Sequence, residues 1–196
     1  DMIDVHRLLT NESLRVDEIV DQLIRDPAMC WELLKVTNTA RYQAGADESV
    51  TSLGRAIVLL GQTGLQRVCY GVRTWPGVLK AAESLKDASS AATAIDALSH
   101  EMKMACVVAF TARWLRPFNV GDEEVMMAAM SQRLGRLLVL YHYPEESAQI
   151  NRLMQPGPPP EPEGKPTPGM SYEAADGAVL GINPDDLTAA VLKHWW

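Results

Sequence analysis

One long apolar helix constrains the fold of this chain more than any other feature of its sequence. The pattern predicts a helix from about residue 91 to residue 115, ending before Pro117, because proline cannot continue a helix. Residues 102–110 within it are apolar on almost every side, and Lys103 is their only charge. A helix that is apolar all round needs neighbours on most of its faces. We therefore expect other helices to pack around this one.

Signals for the starts and ends of helices recur through the rest of the chain. Asp26 followed by Pro27 is typical of a helix start, since the aspartate accepts from free backbone N–H groups and proline suits the first turn. Gly61 predicts a stop or bend, with helix continuing over residues 64–72, and Gly181 closes a later helix. No alternating strand pattern and no internal repeat stands out. The predicted fold class is all-α.

Length and charge limit the kind of protein this can be. The 196 residues predict a single domain over residues 1–196, and the abrupt ends suggest a piece of a longer protein. Acidic residues outnumber basic ones by 25 to 18, which argues against direct binding to nucleic acid. The longest charge-free apolar run, residues 104–112, falls far short of the roughly 20 residues of a membrane span. No signal peptide opens the chain, so we expect a cytoplasmic location.

A proline-rich segment interrupts the helical pattern. Residues 155–169 contain seven prolines and three glycines, which can form neither a helix nor a central strand. Too little chain follows for a separate domain, so the segment is predicted to be a surface loop inside the domain. A polyproline ligand for a partner is the alternative.

The residues that could carry chemistry are few. The four histidines are His6, His100, His142 and His194, and His100 is the candidate because it lies early in the long helix. No phosphate-binding loop, no G-x-S-x-G elbow and no dinucleotide fingerprint occurs. Most of the nine methionines are expected to fill a helical core, although they could instead mark an adaptable binding surface. Composition and spacing alone predict a helical domain without visible catalytic machinery.

Three stretches of sequence occur together in an order that suggests a family. They are residues 24–29 (IRDPAM) with 32–40 (ELLKVTNTA), residues 52–61 (SLGRAIVLLG) with 65–67 (LQR), and residues 180–184 (LGINP) with Leu192 and Trp195. The combination resembles the HDOD domain, the HD-related output domain of bacterial signalling proteins, over nearly the whole chain. The resemblance implies an HD-domain-like bundle of roughly eight to ten helices.

The residues that match the family pattern have architectural roles. Asp26 caps a helix, Asn38 is expected to bond local backbone and close the far end of that helix, and Gly61 supplies a tight exit. The full set of motif residues expected to be structural is Asp26, Pro27, Asn38, Ala56, Gly61, Gly181 and Trp195.

The departures from the pattern bear on activity. Enzymes of the HD superfamily hold metal with a histidine, a His-Asp doublet on the next helix and a further aspartate. His100 matches the first histidine, but the expected doublet position reads Gln132-Arg133, and arginine cannot ligate a metal. Pro184 also stands where many members carry a histidine. The resemblance therefore implies no metal, no cofactor and no enzymatic activity, with a vestigial pocket formed by His100, Gln132, Arg133 and Arg136.

The function implied is that of a non-catalytic output module. Its partner would be a signalling protein or an adjoining domain of the same chain, and it could also form a homodimer. The docking surface would be a groove with exposed methionines, Trp75 or Trp114.

Two alternatives stay open beside this module. One is a divergent phosphohydrolase built on His100 with Asp96, Glu101 or Glu124. The other is a nucleotide sensor in which Arg133 and Arg136 grip phosphate.

Overall fold

The computed structural model describes residues 15–39, 49–71, 88–158 and 167–195, with residues 88–91 described by their backbone alone. This part of the chain forms nine α-helices, and its single β-type pairing is a bridge between Gly157 and Thr167. The helices are α1 Val16–Leu23, α2 Pro27–Asn38, α3 Leu53–Gly71, α4 Ala88–Leu115, α5 Asp122–Ser131, α6 Leu134–His142, α7 Pro144–Met154, α8 Tyr172–Leu180 and α9 Pro184–Trp195. The predicted all-α fold is confirmed.

The start of α2 follows the sequence signal closely. The Asp26 carboxylate accepts a hydrogen bond from the backbone N–H of Met29 at 3.1 Å, and Pro27 is the first helical residue. The helix then buries Trp31, Leu33 and Leu34 against the core. A local cap therefore fixes where this buried helix begins.

Asn38, at the end of α2, corrects an expectation. Its side chain does not close the helix locally. Instead Nδ2 donates to the Val50 carbonyl at 2.8 Å, and Oδ1 accepts from the Val50 N–H at 2.7 Å. Both bonds are buried, so Asn38 satisfies an extended backbone segment twelve residues further on.

Two glycines act through left-handed backbone conformations. Gly61 has φ 62° and ψ 177°, a conformation that is essentially limited to glycine, and it kinks α3 where the sequence predicted a bend. Gly181, at φ 66°, closes α8 as predicted.

The start of α3 is held by a residue of α5, since the Glu123 carboxylate accepts from the Ser52 hydroxyl and the Gly54 N–H.

The long helix α4 begins three residues earlier than predicted. Its buried side chains, Ile95, Leu98, Glu101, Ala105 and Ala109, recur every three to four residues along one face. Val107 on the other side is 55% exposed. Only Lys103 and Val107 of residues 102–110 are exposed, so this stretch is covered on most sides as expected, and α5, α6 and α2 pack against α4.

The core consists of one large cluster and a smaller one. The large cluster contains residues from each of the helices α1 to α6, and it includes the buried Met126, Met127 and Met130 of α5. Those three methionines fill the core, as expected for most of the methionines, and they do not form the alternative adaptable surface. The small cluster, Val139, Ile150 and Ala175, lies among α6, α7 and α8.

The junctions around α6 show close backbone packing. The chain breaks between α5 and α6 at Gln132 and Arg133, earlier than the predicted break at Gly135. Gly135 instead lies inside α6, where its N–H donates to the Thr188 hydroxyl of α9 at 2.8 Å. A Cβ atom there would overlap the Pro184 carbonyl oxygen. The absence of a side chain at position 135 lets α6 and α9 approach closely.

The described ends of the proline-rich segment fold back on each other. The Gly157 N–H donates to the Thr167 carbonyl at 2.9 Å, which forms the base of a loop, while residues 159–166 lie outside the described part of the chain. His6 and Trp75 also lie outside it. No helix of the described residues is both long enough and apolar enough to cross a membrane.

Candidate functional site

A cavity of about 150 Å³ opens between α4, α6, α7 and α8. Its polar walls come from side chains of four helices, and its apolar wall comes from the neighbouring small core cluster. The lining residues are Ala97, His100, Glu101, Arg136, Val139, Leu140, Ser147, Ile150, Asn151 and Tyr172. A cavity with an apolar wall and a few convergent polar groups is the usual form of a small-molecule site.

Two arginines hold a buried carboxylate at the edge of this cavity. The Arg133 Nε donates to Glu101 Oε1 at 2.5 Å, and the Arg136 Nε lies 3.4 Å from Glu101 Oε2. Glu101 is buried, and both arginines keep part of their side chains in solvent. A buried carboxylate needs such partners, because burial without them strongly disfavours its charge. Each oxygen of Glu101 is therefore engaged by one arginine.

Arg136 is held in a second way by Tyr172 of α8. The guanidinium carbon lies 4.2 Å from the centre of the Tyr172 ring, which is cation–π geometry. Burial raises the pKa of Tyr172 to about 12, while the positive charge of Arg136 opposes that rise. The phenol is therefore protonated at neutral pH, and the guanidinium has a fixed position over the ring.

Asp176 lies one helical turn after Tyr172 and is only 1% exposed. Neither of its carboxylate oxygens is in good hydrogen-bond geometry with a described residue, but the Tyr172 hydroxyl interacts with the carboxylate and lowers the pKa of Asp176. Burial raises the pKa of Asp176, and the nearby Arg136 opposes the shift. Its environment therefore favours the neutral acid more than water does.

The structure brings together part of the predicted set. His100 and Arg136 line the cavity, and Arg133 is linked to them through Glu101. Gln132 is exposed and is not among the lining residues.

Sequence reasoning missed Tyr172 and Asp176 altogether. Their spacing of four residues, which places both on one face of a helix, was the signal that could have identified them.

The donor set does not fit a metal ion. Among the described residues, no group of three or more His, Cys, Asp or Glu side chains could hold one. Glu101 is paired with arginines, while Asp96 and Glu124, its alternatives as acidic partners of His100, are exposed. A permanently charged guanidinium beside Glu101 repels a cation. No reaction step through a metal is therefore derived for this cavity.

A second feature lies at the far end of α4. Trp114 is 87% exposed, Leu115 is 79% exposed and Phe118 is fully exposed, and together we call them the apolar patch. Asp122 pairs with both Arg113 and Arg116, which ties the turn after α4 to the start of α5. Arg116 also donates to the Val120 carbonyl at 2.9 Å. The apolar patch therefore lies at a turn that the salt bridges of Asp122 hold in place.

Comparison with known proteins places these features in a family. The sequence model of the HDOD domain matches residues 2–196. No curated protein sequence matches the chain.

Two solved structures of one response regulator have the same fold. A structure of the MmoQ response regulator from Methylococcus capsulatus is similar with a TM-score of 0.65 at 17% identity, covering 99% of this chain and 69% of that one. A fragment of the same regulator has a TM-score of 0.60 at 18% identity, and this chain spans 66% of its length. An HDOD domain protein of unknown function from Geobacter sulfurreducens matches 99% of this chain and 58% of its own, at 16% identity and a TM-score of 0.38.

Proposed function

Because the chain belongs to the HDOD family, we propose that it is a non-catalytic regulatory domain of bacterial signal transduction. It acts in the cytoplasm through contact with a protein partner or with an adjoining domain of the same chain. The chain spans only about two thirds of the MmoQ response regulator. That regulator has room for a further segment beside the shared fold, which supports a role in which domains contact one another.

The apolar patch is the observation that carries this proposal. Large apolar side chains that are almost fully exposed at one place on a soluble domain mark an interaction surface. Trp114 is of the residue type that most often supplies the binding energy of an interface, and Phe118 adds a second aromatic side chain beside it. The salt bridges of Asp122 brace the turn, so little conformational freedom is lost when a partner binds.

Among the described residues, no group of three or more His, Cys, Asp or Glu side chains could hold a metal, which supports the non-catalytic part of the proposal. If Gln132-Arg133 stands at the doublet position, the arginine found there pairs with Glu101, and His100 is the only imidazole among the lining residues, which is too few ligands for a metal. The charged groups of the cavity then stabilise the fold.

Site-specific photo-crosslinking in the full-length protein tests the contact. A photoreactive phenylalanine analogue at position 118 is expected to crosslink to one defined peptide, either of an adjoining domain or of a partner protein. The same analogue at Tyr70, which is also exposed, is the matched control and should not reach that peptide. Trp114→Ser should abolish the crosslink. A crosslink to residues of a second copy would identify a homodimer contact, and no defined product at position 118 would contradict the proposal.

Metal content tests the non-catalytic part. The untagged protein, purified at neutral pH without chelator, should contain close to no metal per chain by plasma mass spectrometry. It should also show no phosphodiesterase activity above a buffer blank. Stoichiometric metal together with an activity that His100→Ala removes would show that the domain is an enzyme.

A further inference from the structure

We propose that the cavity between α4, α6, α7 and α8 binds a small oxyanion, a carboxylate or a phosphate group, with Arg136 as its principal contact. This site lies away from the apolar patch, so its occupancy is a separate property from partner contact. Either proposal can fail without the other.

The unused hydrogen-bonding groups of the cavity carry the argument. The terminal nitrogens of Arg136 donate no hydrogen bond to a described residue, since Arg136 contacts Glu101 through Nε and Tyr172 through the face of its guanidinium. His100, Ser147 and Asn151 also line the cavity, and the described residues offer their side chains no hydrogen-bond partner. Each of these four groups can donate, and an arginine can only donate.

The charged acceptor of the cavity is already in use. Glu101 is the only carboxylate among the lining residues, and its two oxygens face Arg133 and Arg136. Ser147 and Asn151 can both donate and accept, whereas the free nitrogens of Arg136 can only donate, so the ligand that suits Arg136 supplies acceptors. Carboxylate and phosphate groups do so, and both match the forked geometry of a guanidinium.

The charge balance allows an anion. Arg133 and Arg136 bring two positive charges against the one negative charge of Glu101. Asp176 does not line the cavity; burial raises its pKa and the charge of Arg136 lowers it. At the Glu101 edge of the cavity, a bound oxyanion therefore meets two guanidinium groups against one carboxylate.

The volume and the apolar wall of the cavity further limit the size and chemical character of the ligand. A cavity of about 150 Å³ is large enough for a molecule of about the size of benzene. A whole nucleotide exceeds this volume, whereas its phosphate group alone does not. Val139, Leu140 and Ile150 give one wall an apolar surface that suits a short hydrocarbon tail. His100 and Asn151 are exposed, which gives the cavity an opening to solvent.

Backbone amide NMR titrations with three probes test the proposal. Isobutyrate carries a carboxylate on a short apolar tail, isobutyramide is its neutral counterpart, and inorganic phosphate lacks the tail. Isobutyrate or phosphate should shift the amides of α6, α7 and α8 around the cavity in a saturable way. Isobutyramide should bind at least about tenfold more weakly, since it lacks the charge that Arg136 recognises. Whichever of the two anions saturates the amide shifts at the lower concentration shows whether the preferred ligand is a carboxylate or a phosphate.

Three variants localise the binding. Arg136→Met should abolish saturation. Asn151→Leu should weaken binding about tenfold, because it removes a donor at the opening. Gln149→Leu, the same kind of change at an exposed residue of α7 that does not line the cavity, should leave binding unchanged. If Arg136→Met does not fold, the Asn151 and Gln149 pair decides alone.

Several results would overturn the proposal. One is the absence of saturation with both anions, and another is equal binding of isobutyramide. Shifts centred elsewhere on the molecule, or equal affinity of Asn151→Leu and Gln149→Leu, would also show that the cavity is not an oxyanion site.

Discussion

At the scale of single residues, the Glu101 carboxylate connects two parts of the chain. It lies in α4, and Arg133, thirty-two residues further along, donates to it at 2.5 Å. Arg136 completes the arrangement from α6. The three groups fix the turn between α5 and α6 against the long helix, because a buried charge is tolerated only where its partners are held in place.

The Glu101→Gln variant should be less stable than the wild type by about 2 kcal/mol, because it replaces charge-assisted hydrogen bonds with weaker ones. Urea unfolding at neutral pH measures the loss. Glu124→Gln is the control at an exposed glutamate in the first turn of α5, with an expected loss of about 0.5 kcal/mol from the helix dipole. In a double-mutant cycle with Arg133→Met, losses that simply add would show that the pair does not interact.

Asp176 gives a prediction about pH. Burial raises its folded pKa above the ordinary value of 3.8, so the folded state holds the proton more tightly than the unfolded state. This contribution to stability is fully present below pH 3.8 and is lost as the pH rises through the folded pKa. At neutral pH, Asp176→Asn should therefore raise the free energy of unfolding by about 1 kcal/mol.

Denaturant unfolding as a function of pH measures this effect. The advantage of Asp176→Asn over the wild type should shrink toward zero as the pH falls below 3.8. Asp96→Asn, at an exposed aspartate of α4, should change stability by less than about 0.5 kcal/mol. A less stable Asp176→Asn protein at neutral pH would mean that the ionised carboxylate has a stabilising partner.

At the scale of helices, the approach of α6 to α9 depends on the absence of a side chain. Gly135 faces the Pro184 carbonyl and the Thr188 hydroxyl, and the Thr188 hydroxyl in turn donates to Pro184 at 2.9 Å. The obstacle to a larger residue is backbone, which cannot rotate away as a side chain can. This packing holds the helix that carries Arg136.

Gly135→Ala should destabilise the domain by about 3 kcal/mol, because α6 and α9 must separate to admit a methyl group. Gly177→Ala in α8 makes the same change within a helix where no atom lies within 4 Å of the added carbon. It should stabilise the domain by up to about 1 kcal/mol, since alanine favours helix. Thermal unfolding of the two variants should move in opposite directions, and a shared direction would contradict the packing described for Gly135.

At the scale of the whole molecule, α6 joins the two core clusters. Leu134 and Leu137 belong to the large cluster, and Val139 on the same helix belongs to the small one. The cavity lies where the small cluster meets the ion-paired edge of α4. Its position follows from the meeting of helices that are distant in sequence, and no ion is needed to hold them together in the arrangement we propose.

Exhaustive dialysis against a chelator should therefore leave the melting temperature unchanged. A metal that binds the native state stabilises it in proportion to the logarithm of its concentration over its dissociation constant, so its removal would lower the melting temperature. Differential scanning calorimetry before and after dialysis makes the comparison. A clear decrease that added zinc or manganese reverses would contradict the metal-free proposal.

The candidate site could be predicted only in part from the sequence. Of the residues expected to form a vestigial pocket, His100 and Arg136 line the cavity, whereas Gln132 is exposed and does not line it. Tyr172 and Asp176 follow the proline-rich segment, and no local signal tells which helix they face. Contacts across such distances require knowledge of how the helices pack.

The sequence by itself determined where several of the helices begin, bend and end. Asp26 with Pro27 begins α2, Gly61 bends α3 and Gly181 closes α8, since caps and left-handed turns depend only on a few neighbouring residues. Tertiary structure alone decided which face of α4 is covered, because an apolar pattern shows which side chains can be buried but not which helices pack against them. It also decided that Asn38 bonds Val50 and that Glu101 lies between two arginines. Those pairings join residues that are distant in sequence, and the packing of the whole core decides which of them come together.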